Sequence, residues 1–383
     1  MEHSSLQNIV IDTVKKFIEK EIDPISSIID EKEEFPLNTF KEMGRLGLLG
    51  IPFPAKYGGA GLDYSTYSTI IRELAQVSAS IAMSLVAHTT LSGHPIFSFG
   101  TEKQKLKYLK PLASGEEIGA FGLTEPNAGS DISSIETTAK KTGNHYLLNG
   151  SKIFITNANV ADIYTISAKT SPEKGMMGIS LFILERGMAG FKTSGRNERK
   201  LGMKGSDTGE LIFEDVSVPM DNLIGRRNFG LQILHETLVC ARIGMASIAL
   251  GISEGAQKRC LKYVKQREQF GKRIYHFQSV KNMLADMEMN ISAADLLLKK
   301  VVKMKDEGKN ITKEASEAKL FSSEMAMQIT KDAIQIFGGY GYSRDFPLER
   351  FFRDAKITEI GDGTSEIQRL IIADEIIKNP FKH

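Results

Sequence analysis

The hydrophobic period of this chain changes twice, and that order limits its possible folds more than any single motif does. From the start to about Ser114 the period is helical: Leu6, Val10, Val14 and Phe17 share one face at spacings of four, four and three. A Gly/Pro-rich link runs from Gly47 through Gly61, and helical texture resumes from Tyr64 to Leu112. Between Gly119 and Gly225 short β-branched and aromatic runs take over, at Ile153–Thr156, Ile163–Ala168, Ile179–Leu184 and Leu211–Val216. Asn149-Gly150 is the expected two-residue hairpin turn among them. From Phe229 the helical period returns, in Leu231, Leu234, Leu238, Ala241, Met245 and Ile248 and again in Val280, Met283, Met287, Ile291 and Ala294. Block-wise segregation predicts an α+β protein with a β domain between two helical ones, bounded at 1–118, 119–228 and 229–383.

A chain of 383 residues, 41% apolar and 25% charged, can bury a substantial core. Its formal charge of +2 gives no electrostatic case for nucleic acid or an anionic membrane. Cys240 and Cys260 are the only cysteines and no CxxC occurs, which argues against a disulfide framework, a cysteine-based zinc site or an iron–sulfur cluster. The seven histidines form no HExxH or other close ligand pair, so no metal is expected. Met1 to Pro24 mixes apolar residues with Lys15, Lys16, Glu19, Lys20 and Glu21 and lacks a signal peptide's apolar core. No later stretch is read as long and apolar enough to span a bilayer, and the protein is expected to be cytoplasmic.

Two motifs suggest chemistry that their context does not support. Gly251-Ile252-Ser253-Glu254-Gly255 matches the GxSxG nucleophile elbow but lies inside a helical pattern, whereas the elbow needs a strand-to-helix turn. Gly338-Gly339-Tyr340-Gly341 lacks the third glycine of a dinucleotide fingerprint and ends a helix; it is expected to be a helix stop and tight turn. Three other segments are richer. Phe121 to Asp131 is a polar glycine-containing loop entering the β region, Arg267 to Lys272 lies at a helix end, and Gly361-Asp362-Gly363-Thr364 sets a carboxylate between two glycines.

At these positions in an α–β–α chain, the segments resemble the acyl-CoA dehydrogenase family. Gly122–Ser134 fits its Gly-Leu-Thr-Glu…Ala-Gly-Ser-Asp signature, and Gln335 through Asp354 fits Gln-x-x-Gly-Gly-x-Gly-Tyr with the charged residues that follow. Gly47–Leu62, Gly100–Tyr108, Lys152–Asn157 and Lys200–Gly225 are also family-like, so the resemblance covers essentially the whole chain. It implies a helical N-terminal domain, a β-barrel-like middle domain and a C-terminal four-helix bundle, with FAD bound outside any Rossmann fold. By the same resemblance Leu123 and Thr124 contact the flavin pyrimidine, Phe154 flanks the ring, Thr156 lies near N5, and Gly129 and Ser130 lie where the pyrophosphate meets the substrate's pantetheine arm. Arg267, Phe270 and Gln278 match residues that reach the adenosine diphosphate half from a neighbouring subunit; Gln335, Gly338 and Gly339 complete that site. Thr364 and Glu366 lie by the cofactor of their own subunit. Sharing of this kind implies a homo-oligomer, in the family usually a tetramer.

The implied activity is α,β-dehydrogenation of an acyl thioester, with α-proton abstraction coupled to hydride transfer from Cβ to flavin N5. Asp362 is the expected base, and its backbone N–H is an expected donor to the thioester carbonyl oxygen. Burial beside an apolar acyl chain should raise its pKa. Two departures from the family pattern matter. Asp362 replaces the usual glutamate and is one methylene shorter, about 1.5 Å. Gly361 replaces the usual tyrosine, which suggests room for a branched or cyclic acyl group. Ala241, before the family arginine at Arg242, cannot supply the alternative base that some relatives use. Arg242, Gly361, Gly363 and Ser130 are the expected substrate-binding residues. The substrate is expected to be acyl-CoA, with electron-transfer flavoprotein as acceptor; an acyl-carrier-protein substrate, an oxygen-using flavoprotein and a non-catalytic flavin binder are the alternatives.

Overall fold

The structure, a computed structural model, describes residues 5–378. Helix α1 (Ser5–Phe17) buries Val14 and Phe17 and half-buries Val10; the side chain of Leu6 lies outside the described residues. In α2 (Tyr64–Ala75) the Asp63 carboxylate caps the first turn by accepting from the Thr66 N–H at 2.8 Å. The eight strands of the middle region are β1 (Gly119–Gly122), β2 (Thr138–Thr142), β3 (His145–Thr156), β4 (Ile163–Lys169), β5 (Ile179–Glu185), β6 (Phe191–Thr193), β7 (Thr208–Pro219) and β8 (Leu223–Ile224). They form one mixed sheet in the order β6-β7-β3-β2-β4-β5-β8, with β1 pairing parallel to β4. Four long helices follow: α3 (Gly230–Val264), α4 (Gln278–Asp306), α5 (Thr312–Phe337) and α6 (Ser365–Lys378). Between α3 and α4 lies a small hairpin, β9 (Glu268–Gln269) and β10 (Lys272–Arg273).

The turn expected at Asn149-Gly150 falls elsewhere. β3 runs straight through it, and the link between β2 and β3 is Gly143-Asn144. Gly150, at φ +139°, instead opens a bulge against β7, and glycine suits it because a Cβ there would sit 2.6 Å from Thr137 Oγ1. Asn149 explains the other half of the misleading pair. Its Nδ2 donates to Asp215 Oδ1 (2.8 Å) and its Oδ1 accepts from the Asp215 N–H (2.9 Å), a cross-strand clasp.

Helix α3 corrects the membrane expectation. It is 35 residues long and apolar enough to cross a bilayer by length and composition, but most of its apolar window is buried inside the protein. It is buried on several sides because α2 and α5 both pack on it, and Ser68 Oγ lies 2.7 Å from Ser247 Oγ at the α2 crossing. The GxSxG glycines belong to this contact. A Cβ at Gly251 or Gly255 would press into the carbonyl oxygens of Arg72 and Gln76, and Ser253 Oγ simply donates to Ala249 O at 2.8 Å.

His88, fully buried in the helical segment Val86–Gly93, ties the helical layer to the sheet. Its Nδ1 accepts from the Gly119 N–H at 3.0 Å, so the ring's proton is on Nε2, which donates to Leu112 O at 3.0 Å. Burial holds its pKa down to about 4, against 6.5 ordinarily, with the Leu112 bond opposing. A depressed histidine contributes stability above its unfolded pKa that is lost as pH falls through the folded one, here on the order of 3 kcal/mol. His88→Gln keeps a donor and an acceptor but cannot titrate. Its melting temperature should fall less than that of wild type between about pH 6.5 and 4; parallel curves would refute this.

Candidate active site

The turn Gly361-Asp362-Gly363 links the short helical turn Ile357–Glu359 to α6. It is held from its start by the Gly361 N–H donating to Ile357 O (2.8 Å). Asp362 adopts φ +54° and Gly363 φ +99°. Aspartate is one of the few L-residues that tolerates the left-handed region, so its choice here has a backbone reason. Glycine is favoured at 363 because φ +99° is a conformation that residues with a Cβ rarely adopt. Thr364 closes the turn by capping α6, its Oγ1 accepting from the Ile367 N–H at 3.4 Å.

This turn faces α3 and α5. Asp362 Oδ2 is buried and has no hydrogen-bond partner, and Nε of the buried Arg242 on α3 is likewise unpartnered. Burial pushes the Asp362 carboxyl above the usual aspartate range, opposed by the charges of Lys319 and Arg242. Burial in turn lowers Arg242 to about 10 and Lys319 to about 8, while Asp362 raises both. A lone buried carboxylate oxygen between two desolvated cations is suited to accept a proton from a ligand atom placed against it. The space left by Gly361 is partly filled: a Cβ there would lie 3.2 Å from Met245 Cε, one turn along α3 from Arg242.

The second group of predicted residues lies on the sheet. Strict alternation would point Lys152 and Phe154 of β3 the same way. A second irregularity, between Lys152 and Ile155, and φ +57° at Phe154 separate them instead. Phe154 is 65% exposed, a ring presented outward on strained backbone. Lys152 turns inward and is fully buried, with Nζ 2.6 Å from Glu125 Oε1 and donating to Leu123 O (3.1 Å) and Ser167 Oγ (3.2 Å). Glu125 also accepts from the Thr137 N–H at 3.1 Å, and the Ile153 N–H donates to Thr124 O at 2.9 Å. The loop carrying Leu123 and Thr124 is thus pinned to β3 beside Phe154 and Thr156. Gly129 and Ser130 are exposed at its far end, with open space around Gly129.

The third group is built on the hairpin and the end of α5. Phe270-Gly271 forms the hairpin turn at φ +51° and +73°, leaving Phe270 93% exposed. The segment expected at a helix end is therefore a hairpin just beyond it, since α3 stops at Val264. Arg267 reaches over the Tyr340 ring at 5.4 Å, bringing the hairpin to the Gly338-Gly339 turn that ends α5. Gln335 and Gln278 are exposed nearby in sequence to these turns, and Glu366 is exposed on the first turn of α6. These features fit a long flavin dinucleotide: an outward aromatic at Phe154, open glycine backbone at 129, 338 and 339, and the buried unpaired Ser365 Oγ and Gln368 Oε1 at the start of α6.

Three residues of this site were not singled out from sequence. Met245 stood only in a helical stripe. Lys152 carried a detectable signal, a lysine directly before the apolar run Ile153–Ile155, but its partner Glu125 lies 27 positions away. Lys319 lies within the small buried stripe Ala315, Ala318, Ser322 and Ala326, where only the packed structure shows what it meets.

The comparisons agree with this geometry along the whole chain. Family models described as the acyl-CoA dehydrogenase N-terminal, middle and C-terminal domains match residues 4–116, 120–216 and 228–377. A short-chain-specific acyl-CoA dehydrogenase of Clostridium acetobutylicum is 48% identical over 97% of this chain and 98% of its own length. The structure of butyryl-CoA dehydrogenase from Megasphaera elsdenii is 44% identical, with a TM-score of 0.96 over 98% of this chain and 99% of that one. A chain from work on the electron transferring flavoprotein of Acidaminococcus fermentans is 45% identical, with a TM-score of 0.97 over 99% of this chain and all of that one. The chain belongs to the acyl-CoA dehydrogenase family and is an FAD-dependent oxidoreductase that acts on the CH–CH bond of an acyl thioester.

Proposed function

We propose that Asp362 removes the α-proton of a short acyl-CoA, branched chains included, and that the electrons pass to an electron-transfer flavoprotein. The observation that carries this reading is the buried Asp362 Oδ2 with no partner of its own. The α C–H bond breaks, its proton goes to Oδ2, and the electron pair forms the new double bond as hydride leaves Cβ. FAD, when bound, is the acceptor of that hydride. Among the described residues the Asp362 N–H donates to no other group of the chain, which leaves it for the thioester carbonyl oxygen. Arg242 and Lys319 favour the ionised carboxylate against its burial, and apolar neighbours such as Met245 exclude water.

Relatives that act on short-chain substrates, and one whose description places it in a complex with an electron-transfer flavoprotein, support the substrate size and the acceptor. A homotetramer accords with the exposed Phe270 on the hairpin and with Met289 and Leu296 exposed on α4. Anaerobic bleaching of the flavin by a panel of acyl-CoA and acyl-carrier-protein thioesters tests the reading; bleaching by the carrier-protein series alone would overturn the CoA assignment. Met245 sets the limit on branching, because its Cε partly fills the space that Gly361 vacates. Met245→Ala should raise kcat/KM for 3-methylbutyryl-CoA relative to butyryl-CoA by about tenfold, the value of a methylene or two in an apolar pocket. An unchanged ratio would place the branch elsewhere.

A further inference from the structure

We propose that Lys319 is a positioning residue for proton abstraction: its ammonium pins the turn that carries Asp362 and supplies the buried positive charge that the carboxylate faces. This inference rests on Asp362 being the base. Lys319 is fully buried two turns into α5, and its Nζ donates to Gly363 O at 2.8 Å, the carbonyl that directly follows Asp362. That carbonyl already accepts from Gln368 Nε2, also at 2.8 Å. A neutral amide therefore satisfies it, and a second, charged donor is not needed for the hydrogen bond alone.

Burying an ammonium is costly unless a charge nearby compensates it. Among the described residues Lys319 has no carboxylate within ion-pair distance, and the strongest opposite charge acting on it is Asp362. Every packed element around the carboxylate contributes a charge of known sign. Arg242 comes from α3 and Lys319 from α5; Glu359, from the preceding helical turn, and Glu366, from the first turn of α6, act on Lys319. His235, nearer the start of α3, is held below its usual pKa by burial and by the charge of Arg242. The two cations thus face one carboxylate, and Lys319 alone of them also holds its backbone.

The two roles separate in a pair of variants of the FAD-loaded protein. Lys319→Gln keeps a donor near Gly363 O and removes the charge; Lys319→Met removes both. A lost positive neighbour disfavours the carboxylate, so the rising limb of flavin-reduction rate against pH should move up by about one unit or more in both variants. Above that limb Lys319→Gln should recover most of the wild-type rate, whereas Lys319→Met should stay about tenfold to a hundredfold slower because the turn is no longer fixed. Exchange of the substrate α-proton with D2O should shift with pH in the same way. Gln368→Met loosens the same carbonyl without touching charge, and should slow the reaction with no displacement of the pH profile.

Equal rate losses at all pH in both lysine variants would overturn the proposal and leave Lys319 a core residue. So would failure of both to fold and retain FAD. Asp362→Asn, assayed alongside, keeps the two readings apart. If it is as active as wild type, the base assignment itself fails. If it is inactive while the lysine variants keep the wild-type profile, only the role of Lys319 fails.

Discussion

Asp362→Asn is expected to lower turnover with every thioester by about a thousandfold, the middle of the range for losing a positioned general base. Asparagine is isosteric and also tolerates the left-handed φ of +54°, so the turn should persist and FAD should remain bound. The stability effect runs the other way from the activity effect. A buried aspartate with a raised pKa contributes stability below its unfolded pKa that is lost as pH rises through the folded value. At neutral pH the ionised form is therefore a cost to the folded state, and the amide relieves it. Lys319, already held near 8 by burial, can release its proton once the carboxylate is gone. The melting temperature should change little while activity falls steeply. In wild type the rate should rise with pH as Asp362 ionises. Activity within tenfold of wild type in the variant would remove Asp362 from the mechanism.

The largest effect on stability is expected from Lys152→Met. Lys152 and Glu125 form a buried pair, with side chains 0% and 4% exposed, 2.6 Å apart. Removing one partner strands the other charge in the interior, which costs about 3–5 kcal/mol. Glu125 would retain only N–H donors from Glu136 and Thr137, and its carboxyl, held below the ordinary range chiefly by Lys152 against its own burial, would rise. The damage falls beside the residues expected to contact the cofactor, because Lys152 also holds Leu123 O and its strand presents Phe154. Lower FAD occupancy should accompany the loss in thermal stability. Changing Glu125 to Gln in the same chain should restore part of both, since no charge is then stranded. Wild-type melting and full FAD content in Lys152→Met would show that the pair is dispensable.

Local pattern alone determined the order helix, sheet, helix, since apolar spacing and turn residues act over a few neighbours. The stripe from Val280 to Ala294 is the inward face of α4, and the four predicted β runs lie inside β3, β4, β5 and β7. The motifs likewise singled out the Gly361–Thr364 turn, the Leu123–Thr124 loop and the Arg267–Phe270 segment as candidate site segments. What the sequence could not determine depends on contacts between distant elements. Asn149-Gly150 has the composition of a turn, yet Thr137 and Asp215 make it a bulge inside a continuous strand. Helix α3 has the hydropathy of a membrane span, and the elements packed on it, α2 and α5 foremost, account for that apolar surface. Lys152 and Phe154 are two apart on one strand, and a bulge against β7 decides which is buried. Burial raises the Asp362 carboxyl above its usual range, and Arg242 and Lys319, 120 and 43 positions away, oppose that rise with their charge. Burial and electrostatics depend on distance through space, which the spacing of residues along the chain does not encode.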